Sequence, residues 1–100
     1  MSKLAIDANA KPIQVMRPQA TERVSVSGTS AQSTAIPANC RVVRVISSTD
    51  CFYTLDSATA TSSDAWLPAG VVEYIHVYEG DQIAVIQEFG AGYLYITEMY

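Results

Sequence analysis

From Glu22 onward the chain alternates short segments rich in β-branched and aromatic residues with turn chemistry, and this limits it to an all-β fold. Val24-Ser25-Val26-Ser27 alternates apolar and polar, as a half-buried strand does. RVVRVIS at Arg41 to Ser47, CFYTL at Cys51 to Leu55 and VVEYIHVY at Val71 to Tyr78 follow as strands, then QIAVIQE at Gln82 to Glu88 and YLYITEM at Tyr93 to Met99. The breaks between them carry turn residues: Thr29 to Thr34, Ile36-Pro37-Ala38-Asn39, Ser48-Thr49-Asp50, Leu67-Pro68-Ala69-Gly70 and Gly90-Ala91-Gly92. Glu79-Gly80-Asp81 is read as a hairpin turn joining the strands on either side. The Ser/Thr/Ala run at Asp56 to Asp64 is the most flexible internal loop. No apolar stripe at helical spacing persists. The expectation is a compact antiparallel β-sandwich, jelly-roll-like, or a small barrel.

The first 21 residues read differently. Pro12 and Pro18 interrupt them, and Leu4, Ile6, Ile13, Val15 and Met16 follow no period. Proline removes a donor and pushes its predecessor toward extended geometry. The division is therefore an extended N-terminal arm over 1–21 and a β-sandwich domain over 22–100. Ile13 and Val15 flank Gln14 as in a short strand that adds to a neighbouring sheet.

Charge is divided along the chain. Lys3, Lys11, Arg17, Arg23, Arg41 and Arg44 are all of the basic residues, whereas eight of the ten acids follow Arg44. Opposite ends of such a chain suit each other across copies, which points to assembly and to a homo-oligomer, a dimer or trimer. A net charge of −4, with few and scattered cations, argues against nucleic acid. No apolar run is long enough to cross a membrane as a helix. Lys3 is followed by only three residues before Asp7, so no secretory signal is read and cytosolic synthesis is expected.

Chemistry finds little to build on. His76, the single histidine, has Glu73 and Glu79 three residues away, on the opposite side of a strand, and reads as a surface or interface residue. Cys40 and Cys51 lack a CxxC or a histidine partner and read as free structural thiols in a reducing compartment. Glu79 and Asp81 around a tight turn are too few for calcium. Gly90-Ala91-Gly92 precedes a strand, so no helix N-terminus cradles a phosphate. No catalytic, cofactor-binding or metal residue is assigned, and the chain is read as a non-enzyme without a cofactor.

Six tyrosines remain. Tyr74 and Tyr78 share one strand face, and so do Tyr93 and Tyr95. Such rings can pack a core, fill a protein interface or stack on sugars. Trp66, beside the Leu67-Pro68 turn, is expected to plug one end of the sandwich.

From Ala35 onward, AIPANCRVVRVISSTDCFYTLD, WLPAGVVEYIHVYEGDQIAVI and GYLYITEM resemble small virion proteins of tailed bacteriophages. The resemblance lies in an LPAG turn before a strand, a GDxIAVI return strand and a closing GxLxIT strand, and it covers about two thirds of the chain. It implies a capsid decoration, or cement, protein on the virion surface, made in the host cytoplasm, with the major capsid protein as partner. By position in that setting, the partner-binding residues are Lys11, Ile13, Val15, Met16 and Arg17 of the arm, with Tyr74, Tyr78, Tyr93 and Tyr95 on the domain. The alternatives are a low-copy tail, collar or head-fibre component, or a carbohydrate-binding module for the host surface.

Overall fold

The computed structural model describes residues 16–100 together with the backbone of two short strands, β1 (Ala5–Ile6) and β2 (Pro12–Ile13). Lys11, Val15 and the side chain of Ile13 lie outside the described residues, as does the rest of the expected arm. β1 and β2 pair antiparallel with each other, Ala5 opposite Ile13. Ile13, read as part of a strand added to a neighbour, thus has its backbone partner in its own chain. Pro12 sits at the start of its strand, where its missing N–H does least harm.

The remaining eight strands form two four-stranded antiparallel sheets. The first sheet holds β3 (Pro18–Val26), β10 (Gly92–Met99), β5 (Val42–Ser47) and β8 (Glu73–His76), in that order. The second holds β4 (Ala31–Gln32), β9 (Ala84–Gln87), β6 (Cys51–Thr54) and β7 (Ala65–Leu67). The pairs are nested: β3 with β10, β4 with β9, β5 with β8, β6 with β7. One long hairpin, its tip at residues 55–64, is thus rolled into two layers, and β10–β5 and β6–β9 ladders close the roll. This is the strand order of a jelly roll, the sandwich form of the expected fold.

Period-2 alternation sorts the side chains. In β5 the residues Val43, Val45 and Ser47 are buried, while Val42, Arg44 and Ile46 are only partly covered. Val24 and Val26 of β3 and Leu94 and Ile96 of β10 complete the first sheet's inner layer. Cys51, Leu67 and Val85 meet them from the second sheet, and Val77 and Ile83 fill the rim. Each such buried aliphatic side chain contributes about 1.5–3 kcal/mol. Buried hydroxyls find partners: Ser33 Oγ accepts from Ile83 N at 2.8 Å, and Ser47 Oγ donates to Thr49 O at 2.6 Å. Cys40 and Cys51 are both buried free thiols.

Two expectations are corrected. Glu79-Gly80-Asp81 does not close a hairpin, because β8 pairs with β5 and β9 pairs with β6 and β4. The turn instead carries the chain from one sheet to the other. Gly80 adopts φ 86°, and Asp81 Oδ2 accepts from Tyr78 N at 2.8 Å, which fixes the change of direction. The boundary placed after residue 21 falls inside β3: Pro18 and Thr21 pair with Met99 and Thr97, and Arg17 exchanges two backbone hydrogen bonds with Tyr100. Extended backbone beside β10 completes that strand's ladder, which outweighs the local proline signal at Pro18.

Candidate functional site

The outward face of the first sheet gathers what the sequence scattered. Alternation turns Thr21, Arg23 and Ser25 of β3 outward, since Val24 and Val26 are buried. The same logic turns out Tyr93, Tyr95 and Thr97 of β10, Arg44 and Ile46 of β5, and Tyr74 and His76 of β8. The register then sets these in rows. Arg23 lies opposite Tyr95, and Tyr95 opposite Ile46; Thr21, Thr97, Arg44 and Tyr74 form the next row. Side chains directly opposite in such ladders stand about 4.5–5.5 Å apart at Cβ.

Tyr74 and Tyr78 are each 62% exposed. The His76 ring meets Tyr78 edge-on, with centroids 4.7 Å apart. The Arg23 guanidinium lies 4.3 Å over the Tyr93 ring, a cation–π contact that covers one face of that tyrosine. Thr97 points outward yet is only 3% exposed, so its neighbours on the face cover it, and its Oγ1 lies 2.9 Å from Thr21 Oγ1. Arg44 Nε is buried without a hydrogen-bond partner.

The four strands contain three carboxylates, and none is on this face. Glu22, Glu73 and Glu98 occupy register positions opposite the buried Ile96, Val45 and Val43. Each is engaged elsewhere. Glu22 accepts from Thr34 N and Oγ1, the latter at 2.9 Å. Tyr53 donates to Glu73 Oε1 at 2.7 Å, tying the second sheet to the first, and Tyr100 donates to Glu98 Oε1 at 2.8 Å. Burial, then the hydrogen bond and charge of Glu73, push the Tyr53 phenol well above the usual tyrosine range. The Glu98 hydrogen bond, then burial, raise Tyr100 to about 12.

The strands of the second sheet hold no charged residue, and Asp50, Asp64 and Glu88 flank them. Arg17, Arg23, Arg41 and Arg44 all lie in or beside the first sheet instead. The second sheet's outward side carries the row Trp66–Phe52–Ile86 across β7, β6 and β9. Trp66 is 53% exposed and donates from Nε1 to Glu88 Oε2 at 2.6 Å, so it does not plug the sandwich. Leu67, its neighbour on the strand, takes the inward position instead.

Cavities are small. One cleft of about 190 Å³ is lined in part by Glu22, Thr34, Ile36 and Glu98, and an open depression of about 220 Å³ by Gln32, Asp56, Asp81 and Gln82. Both fall below the ~300–1,000 Å³ usual for ligand sites. Among the described residues no three His, Cys, Asp or Glu side chains group as metal ligands. Burial raises the Cys51 thiol, with Asp50 adding to the rise and a hydrogen bond from Ser47 opposing it, which makes the thiol a poor nucleophile.

Of the residues singled out from the sequence, Tyr74, Tyr93 and Tyr95 share the outward face, and Tyr78 stands at its margin beside His76. Met16 is 38% exposed, and Arg17 is exposed but held by its backbone to Tyr100. Arg23 and Arg44 were missed, although alternation in TERVSV and RVVRVIS already turns both away from the valines. The Trp66–Glu88 pair had no sequence signal, since β7 and β9 are not adjacent and only the bond joins them. Compared with family models, curated proteins and solved structures, the chain matches none.

Proposed function

We propose that this chain is a non-enzymatic structural protein of a virion, a capsid decoration protein that stabilises the shell by bridging major capsid subunits. The observation that carries the reading is the outward face of the first sheet: tyrosines, His76 and two arginines, with Tyr74 and Tyr93 exposed and, among the described residues, no carboxylate. Protein interfaces are enriched in Tyr and Arg and depleted in Lys, Glu and Asp. A tyrosine ring brings large apolar area at little entropic cost, and an arginine fork reads carboxylates or backbone carbonyls. The jelly-roll topology supports the reading only by analogy, since viral capsid proteins and lectins share that architecture. On a symmetric shell many individually weak contacts add through avidity.

The test is the number of copies in purified particles, by quantitative mass spectrometry. Hundreds of copies per particle are expected for a shell-covering protein. Roughly three to twelve would place it on the portal or tail axis instead. Absence from particles would overturn the virion reading.

One observation favours a sugar-binding module as a second reading: Tyr74 offers an open ring, a flat platform for a pyranose. The Arg23 cation over Tyr93 counts against it, because that ring already has one face covered. A glycan-array signal lost in Tyr74→Ala would favour the sugar reading.

A further inference from the structure

The sandwich presents two surfaces that each repel themselves and suit each other. Among the described residues the tyrosine face carries Arg23 and Arg44 and no carboxylate. The Trp66 patch carries Phe52 and Ile86, with Glu88 on the Trp66 indole and Asp64 next to β7, and among the described residues no cation. A two-fold contact of the tyrosine face with itself would bring four arginines together without a counter-charge. A two-fold contact of the Trp66 patch would do the same with Glu88 and Asp64. Like charges placed across an interface suppress that pairing, whereas opposite ones steer and orient it.

We infer that copies of this chain associate head to tail, the tyrosine face of one against the Trp66 patch of the next. The occupant of each surface is a second copy, and the contact is heterologous rather than two-fold. Arg44, turned outward on β5, meets Glu88 of the neighbour, and the match of charge is what selects the pairing. Tyr74 and Tyr95 pack on Trp66 and Phe52, aromatic against aromatic, with Arg44, on the central strand β5, beside Tyr74. β7 is the last strand of its sheet, so the patch sits toward one flank of the sandwich. A contact between a face and a flank rotates each copy relative to the next, and such a rotation can close into a ring. The inference is independent of the virion reading. A soluble assembly could act in any setting, and a virion protein could bind its shell as single copies.

Light scattering after gel filtration tests it, on the full chain at high micromolar concentration and low salt. The expected result is a discrete oligomer that weakens as salt is raised. Arg23→Glu with Arg44→Glu, and separately Glu88→Lys, should each weaken association on the order of ten-fold or more. Mixed together, the two variants should associate again, because the intact arginines of one meet the intact Glu88 of the other. Far-ultraviolet circular dichroism identifies any variant that has lost the fold, and Trp66→Ala, a change at an exposed side chain, then replaces Glu88→Lys as the patch variant. A wild-type chain that stays monomeric overturns the inference. So does an oligomer that survives Glu88→Lys and Trp66→Ala unchanged, which would mean that the patch is not part of the contact.

Discussion

Tyr53 bonds across the two layers, and its surroundings make that bond count. Its ring packs against the core while its hydroxyl reaches Glu73 on the opposite sheet at 2.7 Å. Tyr53→Phe keeps the ring and removes the bond, leaving a half-buried carboxylate one donor short. The expected cost is about 1–2 kcal/mol. For a domain of this size that lowers Tm by about 4–8 °C per kcal/mol, which calorimetry reads directly. The same phenol governs alkaline behaviour. Its folded pKa lies above the unfolded value, and Tyr100, raised to about 12, behaves alike. Folding therefore holds these two protons. The stabilisation is complete below about pH 10, the ordinary tyrosine value, and is lost as pH rises through the folded values. Absorbance titration should show a late tyrosinate phase, and Tyr53→Phe should remove part of it. If the two titrations superimpose, the link to Glu73 does not hold the proton. Gly92 makes a different point. A Cβ there would lie 2.5 Å from Ser48 Oγ and 2.8 Å from Thr49 Cγ2. Gly92→Ala must push the β5–β6 turn away from β10 and should cost about 1–3 kcal/mol, seen as a lower denaturation midpoint at unchanged slope.

Strand length separates what the sequence reveals from what it hides. The two longest strands, β3 and β10, and the six-residue β5 bury alternate side chains, and their pattern is visible in TERVSV, RVVRVIS and YLYITEM. β4 and β7 have two and three residues, too short for any period, so 31–32 read as loop and Trp66 as a plug. Partnership is hidden for another reason. Turn chemistry at Gly80 says that the chain reverses but not which sheet it enters, and here Asp81 fixes a crossing between layers. The candidate face follows the same division. Paired tyrosines on one strand were legible from alternation alone. The Arg23–Tyr95–Ile46 row was not, because it needs the register of three strands far apart in the chain. Length should also order the dynamics. Amide hydrogen exchange should be fastest in β4 and β7, at the edges of the second sheet, and slowest in β10 and β5, which are paired on both sides. Equal protection across all eight strands would mean that the sandwich opens only as one unit.

Nesting gives the whole molecule its folding problem. Pro18 pairs with Met99 and Val26 with Gly92, so the first strand of the sandwich cannot be placed until the last has been made. Within the sandwich only β6 and β7, joined at the hairpin tip, are close in sequence. Every other pair of the sandwich closes a longer loop than the tip does, and closure entropy must be met before burial of Val24, Val26, Leu94 and Ile96 returns any stability. Neither sheet offers a local nucleus large enough to stand alone, since a two-stranded hairpin is marginal in water. Folding should therefore be slow for a chain of this size, with time constants on the order of milliseconds to seconds, as in other sandwiches dominated by non-local pairs. Trp66 is the single tryptophan, and it sits on the strand nearest the tip with its indole held by Glu88 of β9's flank. Its fluorescence in stopped-flow refolding thus reports when β6, β7 and β9 have assembled. Circular dichroism, by contrast, is weighted toward the longer strands of the first sheet. The two signals should recover together if the layers form in one cooperative step. A fluorescence phase that completes in microseconds ahead of the circular dichroism would show that the tip and its neighbour fold first and template the outer pairs.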